Sequence, residues 1–542
     1  MLESASIIML KRKNILFLVV LCCILVRFHN ELVYFFYNSD LSTQLEATKN
    51  VLRGKGFTLQ YIKIQDLGKV YVVPMTDWAI GLSIVAVPFV VLMGNFFNAL
   101  LVMNLSIYVL LVVLLYRFMD LLHFTYKSKC WFFILWGIGS NFFYFLSTSD
   151  LLSLLTAVAS FYWILKHHSF VEKQSFLTLF ITALLVFFGA FFRYAYLPLV
   201  AIVPLFLLVY GLQIGSKIAI KQSIGVGAMA LTMTVLMTLY KKTRGQNSFD
   251  AGIQSQHNWL AWLNTDYFPI KLFGWLYPLE EIWQQKTMGF DWIFLGFMYG
   301  ISGVIVWLIV KRCKNLFANN KTDVAYQFLL LTIVATFVVW LSVYYASVVQ
   351  PPQPGISMPR WFEPWTFVCE SRYYALPTVC MQLAVFLIWQ NQSFFKQFLG
   401  SMIYISVFYG LIINILFTYK HYVSGESYSF SIAQKNNLLV NQLLDQTAEN
   451  TQIPVVFALP ETARNAEIYR LSKATMCVDY SELMIAKSLN SSQKIILIVQ
   501  IPTQRTKNQT AFLNKFKPKY LAHFGAFDLY QTVVLPQKQP FF

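Results

Sequence analysis

Long apolar runs almost free of charge recur through the first three quarters of this sequence. About 20 apolar residues in a helix cross the roughly 30 Å hydrocarbon core of a bilayer, and a helix satisfies its own backbone polar groups there. Only 12% of the residues are charged, which excludes an ordinary soluble protein. We therefore predict a polytopic α-helical membrane protein with about eleven transmembrane helices, at 14–28, 95–119, 130–146, 151–165, 176–192, 196–210, 224–239, 292–310, 324–345, 374–389 and 398–417.

The basic residues of the short connections predict the orientation of these spans. Clusters at 11–13, 127–129, 166–173, 217–221 and 311–314 all fall on one side, which the positive-inside rule makes the cytoplasmic side. The N-terminus is then cytoplasmic, in a retained first helix of a plasma-membrane or inner-membrane protein. The net charge of +17 indicates loops near anionic membrane lipid, and no basic pattern points to nucleic acid. Three longer loops, 30–94, 241–291 and 349–372, face outward.

The last 120 or so residues have the composition of a soluble α/β unit. Strand-like runs at 454–459, 494–501 and 529–535 alternate with helical patterns at 437–449, 462–474 and 510–516, which predicts a small parallel or mixed sheet. We divide the chain into a transmembrane domain, 1–419, and an extracytoplasmic α/β domain, 420–542. This tail has no glycine-rich phosphate loop, so we expect a structural or acceptor-docking role for it.

The loop 30–94 is the outward segment richest in candidate features. Asp40 precedes a predicted helix, 41–52; a Gly-x-Gly turn and a hairpin, 61–73, follow. The apolar stretch 74–92 is interpreted as an interfacial helix, because a further span there would invert every later loop. Asp40 is either the N-cap of its helix or a partly desolvated carboxylate that accepts a proton or binds a cation.

The order of motifs in this loop resembles the first outer loop of the GT-C glycosyltransferases. That superfamily includes the protein O-mannosyltransferases and the enzymes that add aminoarabinose to lipid A. The matching features in this loop are Asp40, a helix with Ala47 and Asn50, Gly54-Lys55-Gly56-Phe57, Pro74 and Trp78. The resemblance extends to Asp150, Arg193-Tyr194 and Arg372-Tyr373-Tyr374, and hardly at all to the tail.

The resemblance implies a hexosyl or pentosyl transferase that takes its sugar from a polyprenyl phosphate and inverts the anomeric carbon. Asp40 would be the general base for an unidentified glycan, lipid or protein acceptor. Asp150 resembles a second acidic position that holds the acceptor or a cation; its alternative role is to cap the helix 151–165. A metal requirement stays open, because a lone carboxylate at Asp40 is a poor cation site.

Cationic side chains are needed near the leaving lipid phosphate, where negative charge grows in the transition state. Arg372, Arg193 and Lys55 are the candidates, arginine because its guanidinium fork suits phosphate. Both arginines are alternatively interfacial anchors whose stems lie in lipid. Sugar or acceptor binding is assigned to Trp361, Trp365 and Tyr373, with an aromatic membrane belt as the alternative for the tryptophans.

Two other functions stay open at this point. A transporter or flippase of a lipid-linked sugar needs polar residues in mid-span, whereas the ionisable candidates here gather at helix ends. A catalytically silent protein whose tail binds a partner is the third interpretation.

Overall fold

A computed structural model of the protein describes residues 14–29, 39–75, 79–94, 96–139, 148–167, 172–242, 291–349, 374–391, 396–419, 430–460, 472–524 and 527–536. The described helices are α1 (Asn14–His29), α2 (Ser39–Leu52), α3 (Gly81–Met93), α4 (Phe96–Leu121), α5 (Tyr126–Ile134), α6 (Thr148–Lys166), α7 (Phe176–Phe192), α8 (Leu199–Ile214), α9 (Lys217–Lys242), α10 (Asp291–Asn319), α11 (Val324–Val349), α12 (Ala375–Asn391), α13 (Lys396–Tyr419), α14 (Phe430–Thr451), α15 (Tyr480–Ile485) and α16 (Lys507–Phe516). The described strands are β1 (Thr58–Lys63), β2 (Asp66–Pro74), β3 (Val455–Ala458), β4 (Thr475–Cys477), β5 (Ile495–Pro502), β6 (Lys519–Phe524) and β7 (Phe527–Val534).

The chain divides into two compact units. The first, which we call the membrane unit, comprises Met1–Glu31 and Val102–Thr418. The second, which we call the sheet unit, comprises Leu32–Leu101 and Tyr419–Phe542. The sheet unit therefore combines the first loop with the tail.

Apolar helices make up most of the described membrane unit. Five segments of the described chain are long and apolar enough to cross a bilayer: Asn98–Leu121, Thr148–Lys166, Tyr194–Ile214, Lys217–Tyr240 and Val324–Ser342. Shorter apolar helices occur at α1, α7, α12 and the first part of α13. The prediction of an integral membrane protein is confirmed at this level, and helices lie in all eleven predicted ranges. The number of crossings and the cytoplasmic side stay predictions.

The sheet unit is built on one mixed seven-stranded sheet with the strand order β2-β1-β4-β3-β5-β7-β6. The pairs β1–β4, β4–β3 and β3–β5 are parallel, whereas β1–β2, β5–β7 and β7–β6 are antiparallel. Strands β3, β5 and β7 lie where the sequence predicts strands. Strands β4 and β6 were not predicted. Residues 462–471 of the predicted helix 462–474 lie outside the described residues. The remaining three residues, 472–474, are not helical.

Helices cover both faces of this sheet. Leu483 of α15 and Phe512 of α16 are fully buried in a cluster on one face. Val440 and Leu444 of α14 are buried in a cluster on the other. Because β5 is apolar at successive positions, it is buried on both faces, as central strands of layered α/β folds are.

The first-loop hairpin is part of this sheet. Ile62 of β1 pairs with Cys477 of β4, and the Val478 amide donates to the Ile62 carbonyl oxygen at 3.1 Å. At the hairpin turn, the Leu67 amide donates to the Asn490 carbonyl oxygen at 2.8 Å. The division drawn from the sequence left the loop 30–94 in the transmembrane domain, because a three-residue strand such as β4 carries too short a pattern to reveal its partner.

Candidate functional site

Asp150 and Arg193 form a buried ion pair in the membrane unit. Asp150 lies in the first turn of α6, and its side chain is fully buried. Arg193 is the C-cap residue of α7, and its Nε atom contacts the Asp150 Oδ1 atom. The Arg193 Nη1 atom also donates to the Ser149 hydroxyl at 3.3 Å. An acid at a helix N-terminus and a base at a helix C-terminus both complement the helix dipole.

Close packing of α6 on α7 brings Asp150 and Arg193 together. The Ser153 hydroxyl donates to the Gly189 carbonyl oxygen at 2.9 Å. A Cβ atom at Gly189 would lie 2.8 Å from the Leu199 Cδ2 atom, so a larger residue at 189 would displace the Leu199 side chain of α8. Small residues at contacts between membrane helices allow such approaches. The geometry of the pair is therefore fixed by the packing of three helices.

Tyr196 is a residue of this region that the sequence did not single out. It is buried in a short 3-10 turn between α7 and α8, and it is close enough to Asp150 and Arg193 to interact electrostatically with both. Among the described residues its hydroxyl has no hydrogen-bond partner. It lines a small, largely apolar cleft with a volume of about 10 Å³, room for about one water molecule, together with Ala195, Pro198, Leu199, Ile202, Val339 and Leu376.

A buried polar group without a partner is costly, because it has given up its hydrogen bond to water. Tyr196 is therefore a candidate contact for a water molecule or for a polar group of a ligand. The available signal in the sequence was a tyrosine three residues after Arg193, at the start of a predicted span.

Asp40 lies within the first turn of α2 in the sheet unit, since that helix begins at Ser39. Its side chain lies outside the described part of the chain. Polar contacts with the start of α3 hold the helix: the Gln44 side chain donates to the Ala79 carbonyl oxygen at 2.9 Å, and the Ser83 hydroxyl donates to the Gln44 carbonyl oxygen at 2.7 Å. The helix that carries Asp40 is thus anchored at Gln44, four residues after Asp40.

Lys55 is exposed in the turn that ends α2. Its backbone amide donates to the Asn50 carbonyl oxygen at 2.8 Å. The flanking Gly54 and Gly56 have φ angles of +73° and +70°, which side-chain-bearing residues rarely adopt. The predicted Gly-x-Gly turn is confirmed, and it presents Lys55 to solvent.

A second small cleft, with a volume of about 10 Å³, lies inside the sheet unit beside the C-terminal half of α2. Lys49 lines it and is almost completely buried; its ammonium donates to the Ser472 carbonyl oxygen at 2.7 Å. Burial lowers the pKa of Lys49 to about 8. Glu46, Arg53 and Lys473 also line this cleft, so its polar wall is formed by both the first loop and the tail.

The remaining predicted site residues, Arg372, Tyr373, Trp361 and Trp365, lie outside the described residues. Of the predicted residues whose side chains are described, the structure brings Asp150 and Arg193 together within the membrane unit, while Lys55 belongs to the sheet unit. No group of three His, Cys, Asp or Glu side chains in the described ranges is arranged to hold a metal ion.

Comparison with known proteins identifies the fold. No family model and no curated protein sequence matches this chain. The crystal structure of ArnT from Cupriavidus metallidurans bound to undecaprenyl phosphate matches with a TM-score of 0.53 and 10% identity, over 97% of this chain and 99% of that one. Its apo structure matches with a TM-score of 0.55 and 9% identity, over 97% and 98%. ArnT is the lipid A aminoarabinose transferase, a GT-C enzyme. This chain therefore has the fold of ArnT, an enzyme of the superfamily that the first loop of this chain resembles.

Proposed function

We propose that this protein is a glycosyltransferase that moves a sugar from a polyprenyl-phosphate-linked donor to an acceptor on the outer face of the plasma or inner membrane, with inversion at the anomeric carbon. The single observation that carries the proposal is the fold, which matches nearly the whole length of an ArnT structure holding undecaprenyl phosphate. The motifs of the first loop support it independently, because Asp40 and the Gly-x-Gly turn at Lys55 occur in the order that the superfamily uses.

In this mechanism Asp40 removes the proton from the attacking acceptor hydroxyl. The hydroxyl oxygen forms a bond to the anomeric carbon as the bond from that carbon to the phosphate oxygen breaks. The electron pair of the broken bond stays on the lipid phosphate, which leaves as polyprenyl phosphate. Attack from the face opposite the leaving group inverts the anomeric carbon.

Arg193 and Arg372 are the proposed contacts to the donor phosphate, with Lys55 as a further cation. Asp150 is proposed to position Arg193: its carboxylate contacts the Nε atom of the guanidinium and so limits the orientation of that group. Preorganised charge is the most effective kind of transition-state stabilisation, because it costs no rearrangement during the reaction. Tyr196, whose buried hydroxyl lies near the pair and has no hydrogen-bond partner among the described residues, is proposed to contact the donor as well.

Release of polyprenyl phosphate tests this function. Purified wild-type protein in detergent, supplied with radiolabelled polyprenyl-phosphate sugars and a crude acceptor extract, is expected to release the free lipid phosphate. Asp40→Asn is expected to release none while it stays folded and inserted. Glu482→Gln is the matched control, because it removes a carboxylate exposed on the tail. Full activity in Asp40→Asn removes that residue from the mechanism; no release by any protein across several donors favours the transporter or the silent partner-binding protein.

Donor dependence tests the phosphate contacts separately. Arg372→Ala is expected to raise the donor concentration needed for half-maximal release more than the acceptor concentration. An unchanged donor dependence would remove Arg372 from the phosphate site.

A further inference from the structure

At one edge of the sheet in the sheet unit, polar side chains of β6, β7 and the segment before α16 surround one carboxylate. Asp528 of β7 is the centre of this group, and its side chain is only 12% exposed. The Arg505 Nη2 atom lies 2.9 Å from one carboxylate oxygen, and the His523 Nδ1 atom lies 2.9 Å from the other. The Arg505 Nη2 atom also donates to the Tyr530 hydroxyl at 2.7 Å. We call these residues, together with Tyr520, the Asp528 cluster.

A β-bulge at the edge strand creates this arrangement. Tyr520 pairs with Tyr530 and His523 pairs with Asp528, so the register shifts by one residue between Tyr520 and Ala522. In a regular strand, residues three apart point to opposite faces of the sheet. The extra residue puts Tyr520 and His523 on the same face as their partners, and bulges near functional sites commonly redirect side chains in this way.

Hydrogen bonds keep the Asp528 carboxyl in its ionised form. Burial opposes ionisation of Asp528, but hydrogen bonds from His523 and Arg505 outweigh it and hold the pKa of that carboxyl below its usual range. The carboxylate is therefore ionised at neutral pH and occupied by its own neighbours. A ligand arriving from solvent meets the positively charged side of the group.

The exposed groups of the cluster match a sugar that carries an acid. Tyr520 is 51% exposed and meets Tyr530 edge-on, so its ring is largely accessible. The Arg505 side chain is 37% exposed, and within the described chain its bonds in the cluster use only the Nη2 atom. His523 is about half exposed, with Nδ1 directed to Asp528. An aromatic face suits the apolar face of a sugar ring, and a guanidinium fork suits a carboxylate.

We propose that the Asp528 cluster is a binding site for an acidic saccharide, in which Tyr520 stacks on the sugar ring and Arg505 binds its carboxylate. His523 then contacts a sugar hydroxyl. An edge bulge also discourages pairing with a second chain, but that role does not require Tyr520 and His523 to share a face. The site belongs to the tail and does not depend on the proposed transfer reaction.

Binding of trigalacturonate to the full-length protein in nanodiscs, measured by calorimetry, tests this site. Wild type is expected to bind the acidic trisaccharide and not the neutral maltotriose. Tyr520→Ala and Arg505→Lys are each expected to weaken binding at least about tenfold. Arg505→Lys keeps the charge and loses the fork, so it separates recognition of a carboxylate from general attraction.

Lys507→Met is the matched control, because it removes an exposed positive charge two residues from Arg505. It is expected to change the dissociation constant less than about twofold. Equal binding of both trisaccharides, equal losses in Lys507→Met and Arg505→Lys, or no binding by wild type would each overturn the proposal. Thermal unfolding of every variant shows whether the tail is still folded. Because no sugar donor is present in this experiment, a negative result has no bearing on the proposed transfer reaction.

Discussion

Ile62 of the first loop and Cys477 of the tail are direct neighbours in adjacent parallel strands. This pair joins the hairpin that follows α2 to the centre of the seven-stranded sheet. Lys49 makes a second connection, because its ammonium reaches the Ser472 carbonyl oxygen from within α2. The tail therefore supports α2, the helix whose first turn contains Asp40. In this way the tail helps to position the proposed catalytic base.

The Ile62–Cys477 pair predicts a specific cross-link. Paired residues of neighbouring strands point to the same face, so Ile62→Cys is expected to form a disulfide with the native Cys477 under mild oxidation. Burial raises the pKa of Cys477 to about 11, so the thiolate is scarce at neutral pH and cross-linking is expected to accelerate as the pH is raised towards that value. Mass spectrometry of the digested protein identifies the linked peptides.

Lys63→Cys is the control for this cross-link, because the side chain of residue 63 points to the opposite face of the sheet. The other native cysteines are replaced by serine in both variants. A cross-link from residue 63 as efficient as that from residue 62 would contradict the register of β1 on β4.

The sequence predicted features that repeat along the chain and missed those that depend on single distant pairs. Apolar runs predicted the helices, and the run at β5 predicted a buried strand, because a buried element is apolar at many consecutive positions. The three residues of β4 carry no such pattern. Asp150 and Arg193 are each predicted as ionisable residues at helix ends. Their pairing depends on the packing of α6 on α7, and a contact such as the hydrogen bond from Ser153 to the Gly189 carbonyl oxygen leaves no pattern in the sequence.

Gly68 predicts how closely the hairpin must fit the tail. A Cβ atom at residue 68 would lie 2.6 Å from the Ser491 hydroxyl oxygen and 2.8 Å from the Gln493 backbone nitrogen. Because backbone cannot move aside cheaply, Gly68→Ala is expected to destabilise the protein by about 1–3 kcal/mol. Thermal unfolding in nanodiscs measures the loss. Val72→Ala, at an exposed position of the same strand, is expected to have little effect; equal effects of the two would argue against this contact.

The Asp150–Arg193 pair predicts strongly non-additive substitutions. Removing one member leaves a buried charge without its counterion, so Asp150→Leu or Arg193→Met alone is expected to cost about 3–5 kcal/mol. The double variant is expected to recover much of that stability. Activity is expected to stay lost in the double variant if Arg193 contacts the donor phosphate. Recovery of both stability and transfer would reduce the pair to a structural role.

A surface pair supplies the comparison for this cycle. Lys473 and Glu449 also form an ion pair, but their side chains are 45% and 60% exposed. Solvent screening makes such pairs worth about 0–1 kcal/mol, so their single substitutions are expected to be close to neutral. Similar coupling energies for the two pairs would mean that Asp150 and Arg193 are not desolvated.

Lys49 predicts that stability rises with pH in the alkaline range. Below pH 8 the lysine is protonated in both states, and the folded protein carries the full cost of burying the ammonium. Between about 8 and the ordinary value of 10.5 the folded protein loses this proton while the unfolded chain keeps it, so raising the pH favours the folded state. Relative to Lys49→Met, wild type is expected to gain up to roughly 3 kcal/mol of unfolding free energy across this window.

Unfolding midpoints of wild type and Lys49→Met, measured from pH 7.5 to 10.5, test the sign of this effect. Lys69→Met, at an exposed lysine of β2, is expected to track wild type at every pH. A constant difference between wild type and Lys49→Met would mean that the ammonium is solvated, and the contact with Ser472 would then contribute little to the position of α2.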